Sequence, residues 1–151
     1  MTIEDVVGPV MLPVAVGIAI AAIVALFWYV ARRYPTAPKR VPLGLRIDGR
    51  PRRLGARRWL WLPPAVLVAV MTVLCTAVAT RPPPDEGRTT IALVFLIMAE
   101  VAWFVAWTTD RQIELARGMT HRIPPARTLR VFFPILATIV VAVVLAIRPT
   151  Q

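Results

Sequence analysis

Long apolar runs dominate the pattern of this chain, and the polar residues are gathered between them. The four runs lie at about residues 6–30, 60–80, 90–108 and 131–147. A helix needs about 20 predominantly apolar residues to cross a bilayer, so each run predicts one membrane-spanning helix. The polar segment DRQIELARG predicts that the third helix continues to about residue 117, where Gly118 is a natural C-cap. The sequence therefore predicts an all-α fold, an integral membrane four-helix bundle, as one domain of 151 residues.

Composition agrees with a membrane protein and excludes an ordinary soluble domain. Hydrophobic residues make up 58% of the chain, the mean hydropathy is +0.67, and only 17% of residues are charged. Soluble domains carry about 25% charged residues. The first run lacks the basic flank and short core of a cleaved signal, so we expect a retained helix. The one cysteine, Cys75, lies within an apolar run and excludes an intramolecular disulfide or a cysteine-based metal site.

The net charge of +10 is concentrated in two connecting segments. Ten Lys or Arg residues lie in the loop 31–59 and five in the loop 109–130, against none before the first span, two in the middle turn and one after the last span. Basic loops mark the cytoplasmic side of a membrane. We therefore expect a multi-pass protein of the plasma (inner) membrane with both termini on the outer face. Anionic lipids are the expected partners of the basic loops, and nucleic acid is not.

A lone carboxylate, Glu100, lies at the midpoint of the third apolar run. A charged side chain at the centre of a membrane helix costs roughly 2.5–3.5 kcal/mol on insertion scales. Acids at such positions are therefore neutral, paired or turned towards a protein interior, and they are functional candidates by default. No Lys or Arg lies within any of the four apolar runs, which favours a protonated, neutral carboxyl.

Helical spacing places further residues near Glu100. Trp107 falls on the same stripe of the helix, and Trp103 lies about 60° from it. We predict that Trp103 shields the carboxyl or lines a site and that Trp107 is an interfacial anchor. Thr72 and Thr76, on one face of the second span, either bond back to their own helix or donate hydrogen bonds to Glu100. Thr138 is the one polar residue of the fourth span, which is interpreted as a packing helix with Pro134 in its first turn.

A small-residue stripe runs along the first span, where Gly17, Ala21 and Ala25 recur every four residues. Such a stripe lets another helix approach closely, although simple tolerance of alanine explains it equally well.

The first basic loop carries turn signals and a family-like pattern. Asp48-Gly49 predicts a tight turn, and therefore a small hairpin whose second arm Pro51 shortens. The framework Pro42, Gly49, Pro51 and Gly55, followed by Leu60-Trp61-Leu62-Pro63, resembles the loop of the DUF1648 family of small bacterial membrane proteins, which includes SdpI-like immunity proteins. The family's histidine, aromatic, asparagine and aspartate positions are Gly44, Leu45, Arg46 and Arg52 here. The resemblance thus implies the fold more than the activity.

Three functional classes fit these observations. The first is an accessory or immunity-type protein that binds within the membrane a peptide, another membrane protein or a second copy of itself. The second is a small oligomeric proton-coupled transporter or channel that uses Glu100. An enzyme acting on lipids is the weakest, because no catalytic set of polar residues is apparent. We expect no enzymatic activity, no catalytic residue, no metal and no cofactor.

Overall fold

A computed structural model describes the backbone of residues 3–43, 53–118 and 125–147, and the side chains there except those of 3–9, 85–86, 125–128 and 145–147. Its elements are α1 (Ile3–Arg33), β1 (Arg40–Pro42), β2 (Leu54–Ala56), α2 (Leu62–Thr80), α3 (Asp85–Ala116) and α4 (Pro125–Ile147), with short 3₁₀ turns at Tyr34–Thr36 and Arg57–Trp61. The predicted helical architecture is confirmed, with a two-stranded hairpin added to it.

Three helical stretches are long and apolar enough to cross a membrane, namely Val10–Thr36, Arg57–Thr80 and Gly87–Ala116. They correspond to the first three predicted spans. Within α4 the apolar stretch that the structure describes is shorter, Leu129–Val144. The fourth crossing of the bilayer therefore stays a prediction.

The packing of α1 against α3 forms most of the core. Buried positions on α1 recur every three or four residues, which places them on one helical face: Ala15, Ala19, Ile23, Leu26 and Val30. They meet a matching face of α3 that includes Ala92, Phe95, Met98 and Ala102. Gly17, Ala21 and Ala25 are exposed instead, so the stripe that meets α3 starts with Ala15 and Ala19.

The two basic loops leave the bundle at the same end. Arg33 Nη2 lies 3.1 Å from Asp110 Oδ1, and Arg117 Nη2 donates a hydrogen bond of 2.8 Å to the Thr36 carbonyl. These contacts join the C-terminal ends of α1 and α3, so the two helices run parallel. This grouping agrees with the predicted topology, in which both basic segments share one side.

The predicted hairpin is present at this end of the bundle. Its antiparallel register pairs Val41 with Gly55 and Pro42 with Leu54. Each of these pairs is centred on sequence position 48, where Asp48-Gly49 predicts the turn. Residues 44–52, which include Gly49 and Pro51, lie outside the described residues. The Leu43 side chain lies over Gly55, where an added Cβ would be 2.2 Å from Leu43 Cδ1 and would make this side chain move. Val41 is buried where β1 packs against α3.

Helix ends agree with the sequence signals at one site and differ at two. Gly118 has a φ of +71° and its N–H bonds to the Leu115 carbonyl, as predicted for a C-cap. However, α3 begins at Asp85, earlier than expected, and α4 begins at Pro125. The placement of Pro134 in a first turn was therefore wrong. Pro134 lies inside α4, where its missing N–H leaves the Arg130 carbonyl without an intrahelical donor.

Candidate intramembrane carboxyl site

Glu100 of α3 accepts a hydrogen bond from a threonine of α4. The Thr138 hydroxyl donates to Glu100 Oε1 over 2.8 Å. With α3 and α4 antiparallel, the two residues lie at similar depth, because Glu100 is about 24 Å from the end of α3 and Thr138 about 20 Å from the start of α4. The reading of α4 as a helix that only packs is therefore corrected, since it supplies a polar partner for the acid.

The threonines proposed as partners of Glu100 make other bonds. Thr72 donates to the Val68 carbonyl and Thr76 to the Thr72 carbonyl, each over 2.8 Å. Both side chains are exposed on α2. The alternative that these hydroxyls bond back to their own helix is the one that the structure bears out.

The Thr138 hydroxyl lies between two acceptors. Thr138 Oγ1 lies within hydrogen-bonding distance of both Glu100 Oε1 (2.8 Å) and the Pro134 carbonyl (3.1 Å). A hydroxyl has one hydrogen and two lone pairs, so it donates to only one of these acceptors at a time.

The second carboxyl oxygen is buried without a donor. Glu100 Oε2 has no hydrogen-bond partner within the part of the chain that the structure describes. In the same part, the observed ion pairs do not include Glu100. A buried acceptor without a donor costs roughly 1–3 kcal/mol, so this oxygen is the natural point for an additional hydrogen bond.

The two predicted tryptophans lie one turn apart on α3 and have different neighbours. Trp107 is half-buried, stacks on Phe104 at 6.1 Å between ring centroids, and Phe104 meets Phe132 of α4 at 5.6 Å. Trp107 thus belongs to the face that carries Glu100. Trp103 is 53% exposed and lines a groove between α1 and α3, whereas the Glu100–Thr138 bond lies between α3 and α4.

A second polar cluster lies at the basic end of the bundle. The Tyr29 hydroxyl donates to Asp110 Oδ1 over 2.8 Å, and Arg33 pairs with the same oxygen. Arg111 pairs with Glu114 one turn further along α3, as the i,i+3 spacing predicts. Sequence analysis missed the Tyr29–Asp110 bond; the available signal was that both residues lie near the C-terminal ends of their helices.

The sequence also contains a signal that could have identified Thr138 as the partner of Glu100. Consecutive helices are usually adjacent in space, and Thr138 is the lone polar residue of the helix that follows α3. Depth alone would not have selected it, because Thr76 lies about 21 Å from the start of α2 and is equally deep. The choice between the two threonines was made by the packing of the helices.

The described side chains do not include a group of three or more His, Cys, Asp or Glu residues placed to bind a metal ion. No protein-family model, curated protein or solved structure matches the chain.

Proposed function

We propose that this chain is a multi-pass membrane accessory protein that acts by binding another molecule within the bilayer and performs no chemical reaction. The partner is a membrane-embedded peptide or protein helix that approaches at the contact between α3 and α4. The loop that resembles the DUF1648 family adds a reason to favour an immunity-type role, in which a membrane-active peptide is captured.

The observation that carries this proposal is the half-satisfied carboxyl of Glu100. One oxygen is bonded to Thr138 and joins two helices, which is a structural arrangement. The other oxygen is buried and lacks a donor among the described residues. Because this oxygen is buried, a partner helix reaches it only by displacing the side chains that cover it. A partner hydroxyl or amide N–H then completes the hydrogen bonding, and interhelical bonds of this kind stabilise helix association in membranes.

A second candidate function is proton-coupled transport by an oligomer, and the same oxygen supports it. Glu100 would then release its proton into a polar path and take up another. The Glu100–Thr138 bond favours binding over transport, because a carboxyl engaged in holding two helices together is restrained from alternating between two sides.

Proton flux and photo-cross-linking separate these two functions. Purified protein in liposomes that contain a pH-sensitive dye is expected to give no flux above that of empty liposomes. In native membranes, a photoreactive residue in place of Val141, exposed one turn beyond Thr138, is expected to give an adduct of one defined mass. The same residue at exposed Val73 of α2 serves as the matched control and is expected to give none.

Two results would overturn the binding proposal. A proton flux that Glu100→Gln abolishes would establish transport instead. Protein adducts that are equal at Val141 and Val73, or absent from both, would mean that the α3–α4 face has no specific partner.

The orientation is proposed from the charge bias, with the basic end in the cytoplasm of a cell whose plasma (inner) membrane holds the protein. Arg58 and Arg81 are exposed and flank α2 at its two ends. In a Cys75→Ala background, a membrane-impermeant thiol reagent is expected to label Arg81→Cys on intact cells and Arg58→Cys only after permeabilisation. The reverse labelling would contradict the proposed orientation.

A further inference from the structure

Two grooves adjoin each other where α1 and α3 approach the basic end of the bundle. The first has a volume of about 330 Å³ and is lined almost entirely by apolar atoms. Alanines from both helices, Ala22 and Ala25 of α1 with Ala102 and Ala106 of α3, leave space that larger side chains would fill. This apolar groove runs about 10 Å along α1, from Tyr29 to Ala22, away from the basic end of the bundle.

The second groove is polar and continues from the first. It has a volume of about 410 Å³ and is lined by Trp28, Tyr29, Arg32, Arg33 and Thr36. Trp28 and Tyr29 line both grooves, so the two share a wall. Both volumes fall within the range of small-molecule sites, which is roughly 300–1,000 Å³.

The polar groove carries excess positive charge. Arg33 is paired with Asp110, and Arg111 with Glu114. Arg32 and Arg117 are not in an ion pair with any acid that the structure describes. The Arg32 guanidinium lies 4.7 Å from the centre of the Trp28 ring, and Arg117 is bonded to the carbonyl of Thr36, which lines the groove. The groove is therefore lined by one guanidinium without a neutralising carboxylate, that of Arg32, and the guanidinium of Arg117 is bonded to the backbone of a lining residue.

The position of this mouth matches the headgroup level of a bilayer. It lies at the end of the apolar stretch Val10–Thr36, where Trp28 and Tyr29 form the aromatic pair typical of a membrane interface. A guanidinium binds phosphate oxygens through paired N–H donors more specifically than an ammonium group does. The polar groove is thus suited to a phosphate, and the apolar groove next to it to a hydrocarbon chain.

We infer that the two grooves together form a binding site for one anionic phospholipid, with its phosphate at Arg32 and an acyl chain beside Trp103 between α1 and α3. This goes beyond attraction of the basic loops to an acidic surface, because it specifies one binding site with defined residues for one lipid molecule. It also stands apart from the proposed function, since it involves neither Glu100 nor α4.

Native mass spectrometry of the detergent-solubilised protein tests the site with two lipid probes, dioleoyl phosphatidylglycerol and dioleoyl phosphatidylcholine. Phosphatidylglycerol is expected to bind more tightly. Arg32→Gln is expected to weaken its binding about fivefold, which is the equivalent of roughly 1 kcal/mol for one arginine near an anionic headgroup. Trp103→Ala is expected to weaken the binding of both lipids, because it removes a wall of the acyl groove.

Matched variants control for general effects of charge and aromatic content. Arg58→Gln and Trp59→Ala alter exposed residues at the same end of the bundle that line neither groove, and both are expected to leave lipid binding unchanged. Equal losses for Arg32→Gln and Arg58→Gln would overturn the site in favour of diffuse charge. Displacement of phosphatidylglycerol by inorganic phosphate at millimolar concentration would overturn the lipid assignment, as would equal affinity for both lipids.

Discussion

Truncation of Phe95 to alanine is expected to lower the free energy of unfolding by about 3 kcal/mol, the low end of the range for a buried phenylalanine. Phe95 of α3 is 0% exposed within the core that α1 and α3 share, and it also lines a groove towards α2. Lipid tails are as apolar as the core, so helices in a membrane are held by close packing rather than by removal from water. The substitution leaves a cavity in the most extensive helix contact of the bundle, and the lost dispersion contacts are not replaced.

Phe133 provides the matched control for this prediction. It is 70% exposed on α4, so Phe133→Ala removes the same atoms from an exposed position and is expected to change the free energy of unfolding by under about 0.5 kcal/mol. Unfolding is followed by circular dichroism in mixed micelles as the fraction of denaturing detergent rises. Similar losses for the two variants would show that α1 and α3 do not form the principal packing contact.

Replacement of Thr138 by valine is expected to destabilise the α3–α4 contact by about 1 kcal/mol. Measured interhelical hydrogen bonds in membrane proteins average about 0.6 kcal/mol and reach about 1.7. The higher part of that range is expected here, because the half-buried Glu100 would lose the one observed partner of its carboxyl while Oε2 stays buried without a donor among the described residues. Thr76→Val, on an exposed hydroxyl that bonds to its own helix, is the isosteric control and is expected to have little effect.

A double-mutant cycle isolates the Glu100–Thr138 bond. Glu100→Met removes the acid while keeping an unbranched side chain of similar length. In that background Thr138→Val is expected to cost only a few tenths of a kcal/mol, because a hydroxyl without its acid partner contributes little. An equal cost of Thr138→Val in both backgrounds would mean that the threonine stabilises α4 by itself, and that Glu100 and Thr138 are not coupled.

Of the two residues in the Glu100–Thr138 pair, only Glu100 was named as a candidate from the sequence. A carboxylate among apolar residues is recognisable without a structure because burial of a charge is costly in any fold, so the sequence alone was enough to single out Glu100 as a candidate. Its partner was not identified, since Thr72, Thr76 and Thr138 are chemically alike and all lie within apolar helical segments. Only the packing of α4 on α3 brings one hydroxyl within 2.8 Å and leaves the others bonded to their own helices.

The same division applies to the rest of the molecule. Apolar runs, turn residues and the cap at Gly118 act over a few residues along the chain, so the helices, the hairpin and the end of α3 were apparent from the sequence alone. Which face of each helix is buried depends on residues distant in sequence. Gly17, Ala21 and Ala25 had the composition of a helix contact, yet the buried stripe begins with Ala15 and Ala19, because the shape of α3 decides what fits against α1. Local chemistry thus determined the elements, while the partner of Glu100 and the adjoining grooves at Trp28 were decided by tertiary packing.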